Sequence, residues 1–208
     1  MDNSLPSTEE RILEAAKKVF HTRGFEGARM QEIANEAGVN KALVHYYFRN
    51  KENLFKAVFE DAFRRVVAKV KEIFVSDLTF PEKIETFLKY YISYLSQNSY
   101  LPLFIINSMY EKPGQLKEIL DKIDFSPETL LVGIREQVRD ELHLDIDPFH
   151  VYINILSLCI FPVVARPLIQ TIFSYSNEQM TRFYEERTTE TPVFILNALK
   201  GYENNSAK

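Results

Sequence analysis

Lys41, His45, Tyr46 and Tyr47 stand close together in the stretch "GVNKALVHYYFRNKENLF", Gly38 to Phe55. An ammonium, an imidazole and two phenols at this spacing form a row of hydrogen-bonding groups on bulky side chains. On a helix, Val44 and Phe48 lie four apart and turn inward together. That leaves Lys41, Ala42, Leu43, His45, Tyr46 and Tyr47 wholly or partly outward. Large exposed rings are costly unless something covers them. Duplex DNA offers a matching cover. Its major groove admits one helix, a lysine donates to guanine acceptors, and Ala42 or Leu43 touches a thymine methyl. Tyrosine hydroxyls and Lys51 suit phosphates. The competing reading makes the charges a solvated helix face and the rings half-buried packing.

Other chemistry-bearing groups are fewer. "HLDIDPFH" brings His143, Asp145, Asp147 and His150 together, all metal-capable. Asp147-Pro148, however, reads as a helix cap with proline at the first position, and the spacing fits no common zinc template. No metal or cofactor is assigned. There is no G-x-S-x-G, no Gly-rich phosphate loop and no H-E-x-x-H. Pairs such as Glu185-Glu186 sit on charged faces. The chain is therefore read as non-enzymatic. Cys159, the single cysteine, lies in apolar "LSLCIF" and reads as a buried, inert thiol.

The elements that must position the DNA-facing row are helical. Of 208 residues 46% are hydrophobic and 26% charged, with 6 Gly and no Trp. Ser7 and Glu10 make a capping box for a first helix, and Gly24 suits its stop. A short helix spans Met30 to Ala37 and ends at Gly38. Asn40 caps a third through Phe48, and Asn50 a long fourth from Lys51 to about Phe74. Thr79 and Glu82 box the fifth, to about Gln97. "YLPLFIINSMYE" forms the next, stopped by Pro113-Gly114. Ser126-Pro127 starts a helix to about Leu142, and Asp147-Pro148 an apolar one. Asn177 opens an amphipathic segment, and Thr191-Pro192 is read as starting the last helix, so a continuous final helix is not expected. No alternating strand pattern occurs. The expected fold is all-α, with nine or ten helices.

The opening "MDNSLPSTEER" carries no apolar signal region. The longest uncharged apolar run, Val151 to Ala165, would span about 22 Å as a helix, short of a roughly 30 Å hydrocarbon core. A cytoplasmic protein without a membrane partner is expected. The net charge of −4 is unevenly spread. Between Arg11 and Lys56 nine basic residues face five acidic ones, whereas residues 61–208 hold sixteen basic and twenty acidic groups. A cationic end on an acidic body suits one end facing phosphate.

The two short helices joined by "EAGVN" have helix-turn-helix spacing. Residues 8–55, "RILEAAKKVFHTRGFEGARMQEIANEAGVNKALVHYYFRNKENLF" at their heart, resemble the N-terminal domain of TetR-family bacterial transcriptional regulators. The matching elements are the I-L-x-A-A opening, G-F, the I-A-x-x-A-G-V turn, and a recognition helix running into F-x-x-K-E-x-L. They cover about a quarter of the chain. Two positions depart from the pattern. Ala28 and Arg29 replace the usual hydroxyl residue before the second helix, and Leu43 stands where a small residue or Thr is common. The resemblance implies a DNA-binding set of Arg29, Met30, Gln31, Asn40, Lys41, Ala42, Leu43, His45, Tyr46, Tyr47 and Lys51.

It also implies a layout: a helix-turn-helix domain over residues 1–50, and an effector-binding and dimerisation domain over 51–208. Family members are usually homodimers that pair their last two long helices. The matching residues here are Val151, Ile155, Leu158 and Pro162, with Phe194, Ile195 and Ala198. The ring-rich stripe Phe87, Tyr90, Tyr91, Tyr94, with Phe104, Ile105, Ser108 and Met109 on the next helix, is the candidate effector pocket. It suits an unidentified hydrophobic or amphipathic small molecule. The expected function is a ligand-responsive, homodimeric repressor of a near-palindromic operator. Alternatives are an architectural or division-control DNA-binding protein of the same fold without an effector, and a helical protein-interaction module.

Overall fold

The computed structural model describes residues 6–111, 114, 117–118, 121–123 and 126–206. Ten helices are described: α1 Thr8–Gly27, α2 Met30–Ala37, α3 Lys41–Phe48, α4 Lys51–Phe74, α5 Phe80–Gln97, α6 Tyr100–Glu111, α7 Pro127–Leu142, α8 Pro148–Val164, α9 Arg166–Phe173 and α10 Asn177–Ser206. No strand occurs among the described residues. The expected caps are in place. Ser7 and Glu10 close a reciprocal box, Asn40 accepts from Leu43 N, Asn50 from Asn53 N, Ser126 from Thr129 N, and Asp147 from Phe149 N. Gly24 takes φ 67, ψ 176, which breaks α1 without ending it; helix resumes to Gly27. The stop expected at Pro113-Gly114 rests on Pro113, outside the described residues.

The first four helices share one core. Ile12, Ala16 and Phe20 of α1 meet Ile33 and Ala34 of α2, Val44 and Phe48 of α3, and Leu54, Phe55 and Val58 of α4. Phe55 is its hub, edge-on to Phe20 at 4.6 Å and to Phe25 at 5.1 Å between ring centroids. The cluster runs on along α4 to Val67 and takes in Tyr100 and Leu101 of α6. The boundary drawn at residue 50 thus lies at a helix junction, and the packing crosses it. A second core joins α5, α7, α8 and α10 through Leu88, Ile92, Val138, Ile155, Cys159, Met180 and Ile195. Burial pushes the Cys159 thiol up to about 12, so it stays protonated.

The C-terminal region departs from expectation in one place. Thr191 and Pro192 do not start a helix; α10 runs through them as one 30-residue element with Pro192 inside. Upstream, prolines do bend the chain: α8 and α9 meet at 61°. Pro162 has no N–H, so the carbonyl of Leu158 loses its helical partner. Arg187 of α10 supplies one, its Nη2 lying 2.6 Å from that oxygen. The Tyr184 hydroxyl donates likewise to the Pro162 carbonyl at 3.2 Å, beside the α8–α9 break. Alpha-10 therefore stitches the kinked backbone it packs against. Among the described residues no single helix is long and apolar enough to cross a membrane.

Candidate nucleic-acid interface and effector cavity

Two backbone features set the recognition helix. Gly38 closes α2 at φ 65, ψ 36, a left-handed conformation costly for other residues. Its N–H bonds back to Asn35 O at 3.1 Å, and Val39 N to Ala34 O at 3.0 Å. Arg11 reaches across from α1 to donate to Ala37 O at 2.7 Å and Gly38 O at 3.2 Å, fixing the turn to the first helix. At the far end of α3, Arg49 adopts φ 63. Its N–H donates to His45 O at 2.9 Å, and its carbonyl lies 2.8 Å from His45 Nδ1. That second bond requires a proton on Nδ1, so Nε2 is the imidazole atom left for a partner.

With both ends held, α3 turns Val44 and Phe48 into the core and shows its other face to solvent. Tyr46 is 80% exposed and Tyr47 41%, their rings meeting edge-on at 5.4 Å. Lys41, Ala42 and His45 are exposed beside them, and Leu43 is half-buried. Asn40 spends its side chain on the Leu43 N–H, so its role here is to cap. On α2, Arg29 and Gln31 are exposed and Met30 is half-buried. Arg29 stands at the N-cap with no side-chain cap bond, which leaves the first-turn N–H groups of α2 open to an anion. Gln31 is partly engaged, donating to Asn35 at 2.9 Å. Lys51 is more occupied than its sequence position suggests. Its Nζ lies 4.5 Å over the Phe25 ring and 3.4 Å from Glu26 O. The exposed Arg49 offers a cation at the end of α3 that the sequence reading passed over. Its position next to the helix end was the available signal.

Alpha-4 carries this head on an ion-paired base. Asp61 lies 2.8 Å from Lys17 of α1 and 3.0 Å from Arg65. Burial alone would raise the Asp61 carboxyl, but its hydrogen bonds to Lys17 and Arg65 win and hold it below the usual range.

The far half of α4 walls a cavity of about 140 Å³ between α4, α5, α7 and α8. Val66, Val70 and Phe74 line one side, Phe87 and Tyr91 another, Ile134 and Leu156 the rest. The aromatic stripe of α5 divides in two. Phe87 and Tyr91 stack at 5.2 Å and face the cavity. Tyr90 and Tyr94 stack at 5.6 Å on another face, and the Tyr94 hydroxyl donates to Ala62 O at 3.2 Å. Tyr90 and Tyr94 are not among the side chains that line the cavity. Ile105 packs against the head core instead. The side chains of Phe104, Ser108 and Met109 lie outside the described residues. Sequence reasoning missed Lys83, Gln137 and Tyr152, which also line the cavity. The one signal for Lys83 was its four-residue spacing from Phe87 and Tyr91. Gly133 lets the Phe74 ring lie against α7, where a Cβ would fall 1.9 Å from Phe74 Cζ.

The expected dimer residues fall into two groups. Val151, Ile155, Pro162 and Ile195 are buried in their own chain, and Leu158 packs half-buried against the same core. This stripe of α8 packs against the chain's own core, and Val151 and Leu158 also border a groove between α8 and α10. Phe194 and Ala198 remain exposed. The outer stripe is apolar too, with Phe149, Ile153 and Phe161 exposed on α8, and Leu168, Ile172 and Phe173 on α9. Among the described residues no group of three or more His, Cys, Asp or Glu gathers as a metal site. Asp147 of the "HLDIDPFH" run serves as a cap, and His143 takes the left-handed end of α7 at φ 54.

Comparison with known proteins agrees with this geometry. The family described as "Bacterial regulatory proteins, tetR family" matches residues 12–58, from α1 into α4. The HTH-type transcriptional repressor NicS of Pseudomonas putida is 30% identical over 162 residues, 74% of each chain. YttP of Bacillus subtilis, named as a probable HTH-type transcriptional regulator, is 25% identical over 93% of this chain and 95% of its own. Among solved structures, the TetR-family regulator PfmR of Thermus thermophilus superposes with a TM-score of 0.61 at 20% identity, covering 89% of this chain and 97% of its own. The head core, the exposed recognition helix and these likenesses converge: the chain belongs to the TetR family of bacterial transcriptional regulators, DNA-binding proteins rather than enzymes.

Proposed function

We propose that this regulator acts in the cytoplasm as a homodimeric repressor that releases its operator when a small hydrophobic or amphipathic effector enters the α4–α5–α7–α8 cavity. The observation that carries the DNA-binding half is the solvent-facing row Lys41, Ala42, His45, Tyr46 and Tyr47 on a helix locked at both ends. Arg29 and the open first turn of α2 supply phosphate contacts beside it, and Arg49 a further cation. The repressor sense is supported by the similarity to NicS, which is named as a repressor.

The outer faces of α8, α9 and α10 support the dimer. Phe161 is 63% exposed and Phe194 63%, and a groove of about 470 Å³ runs between α8 and α10 past Asn154 and Ala198. So much contiguous apolar surface calls for a partner, and a second copy covers both faces at once. Two heads then meet successive major grooves about 34–36 Å apart. Effector and DNA oppose each other by equal factors, because linkage is reciprocal.

Selection of bound duplexes from a random pool by the full chain tests the reading. A recurring near-palindromic sequence, with half-sites one helical turn apart or a multiple of it, is the expected result. A pool that yields no recurring motif, or an unpaired half-site, overturns the dimeric reader.

A further inference from the structure

Among the described residues Lys83 is the one charged side chain on the cavity wall, and only 9% of it is exposed. Its Nζ donates to the carbonyl of Phe74 at 3.1 Å and lies 5.8 Å from the centre of that ring. An ammonium has three donors. Among the described residues no carboxylate pairs with it. The negative end of the α4 dipole offsets part of the cost of burying the charge, but a buried ammonium without a counter-ion remains unfavourable. Around it the wall is almost wholly apolar, apart from Tyr91, Gln137 and Tyr152.

We propose that the cavity binds a small apolar monocarboxylate whose carboxylate accepts from Lys83 Nζ and whose body lies among Ile84, Phe87, Ile134 and Leu156. This rests on the reading of the cavity as the effector site. Size sets the body. At about 140 Å³ the cavity is close to the roughly 150 Å³ apolar cavity known to take a benzene ring. A ring or a chain of about six carbons fits. Charge sets the head: one lysine matches one negative charge, whereas a phosphate dianion would need further cations. A neutral amide would keep a hydrogen bond but bring no counter-charge, and charge-assisted bonds are about twice as strong as neutral ones.

The same contact reaches the DNA head. Phe74 is the last residue of the 24-residue α4, whose first turn follows α3. A carboxylate that draws Nζ away from Phe74 O releases the C-terminal end of that rod. A helix this long spans about 36 Å, so a small tilt at one end moves the recognition helix at the other.

The test is calorimetric titration of the full chain, wild type and Lys83→Met, with benzoate, hexanoate, benzamide and hexanamide. The wild type is expected to bind an acid about tenfold or more tighter than its amide. Lys83→Met is expected to abolish that preference, losing much more affinity for the acids than for the amides. Equal binding of acid and amide by the wild type, or a preference that survives in Lys83→Met, overturns the carboxylate assignment and leaves the cavity reading standing. Absence of any binding by either protein overturns both. The acid-over-amide preference of the wild type decides the case even if the variant fails to fold.

Discussion

Single residues in the head are fixed by backbone needs as much as by contact with DNA. Gly38 holds φ 65, and a Cβ there would sit 3.1 Å from Arg11 Nη2. Gly38→Ala should therefore cost about 1–2 kcal/mol from the left-handed backbone alone, more if Arg11 must leave the turn carbonyls. Urea denaturation checks this, and a variant as stable as the wild type would show that the turn is not held as described. This residue was legible in the sequence, because a glycine between two short helices has one dominant use. Lys83 was harder to see. Lysine reads as a surface residue until its neighbours at the same helical spacing prove to line a cavity.

Whole elements show where one-dimensional reading stops. Caps at Ser7, Asn40, Asn50, Thr79, Ser126 and Asp147 gave helix starts that agree with the structure, because a cap is a local chemical event. Pro192 did not give a start. Tertiary packing holds α10 continuous across it, and sequence alone contains no measure of that packing. The same limit applies to the two apolar faces of α8. Both stripes are greasy, so periodicity cannot say which one the chain keeps for itself. The stitch between α8 and α10 yields a direct prediction. Removing Arg187 orphans the Leu158 carbonyl, which its bond at 2.6 Å now satisfies. Arg187→Met should cost about 1–3 kcal/mol. In a Pro162→Ala background, where residue 162 regains an N–H for that carbonyl, the same change should cost clearly less. Chemical denaturation of the four proteins measures the coupling, and equal costs in both backgrounds would rule out the stitch.

At the level of the complete chain, a cationic reading head and an acidic body are joined by α4, which belongs to both. Its first half packs with α1, α2 and α3, and its second half walls the cavity. All of this turns on the outward face of α3 reading duplex DNA while contributing little to folding. Its side chains Lys41 and Tyr46 are exposed, Tyr46 by 80%, so their loss should leave the core untouched. The decisive quantity is the affinity of the Lys41→Ala, Tyr46→Ala double variant for a selected duplex, at several salt concentrations, with its melting temperature alongside. An affinity loss of about tenfold or more is expected, with a shallower salt dependence and a melting temperature within a few degrees of the wild type. Affinity and melting temperature both unchanged would remove α3 as the reader of DNA.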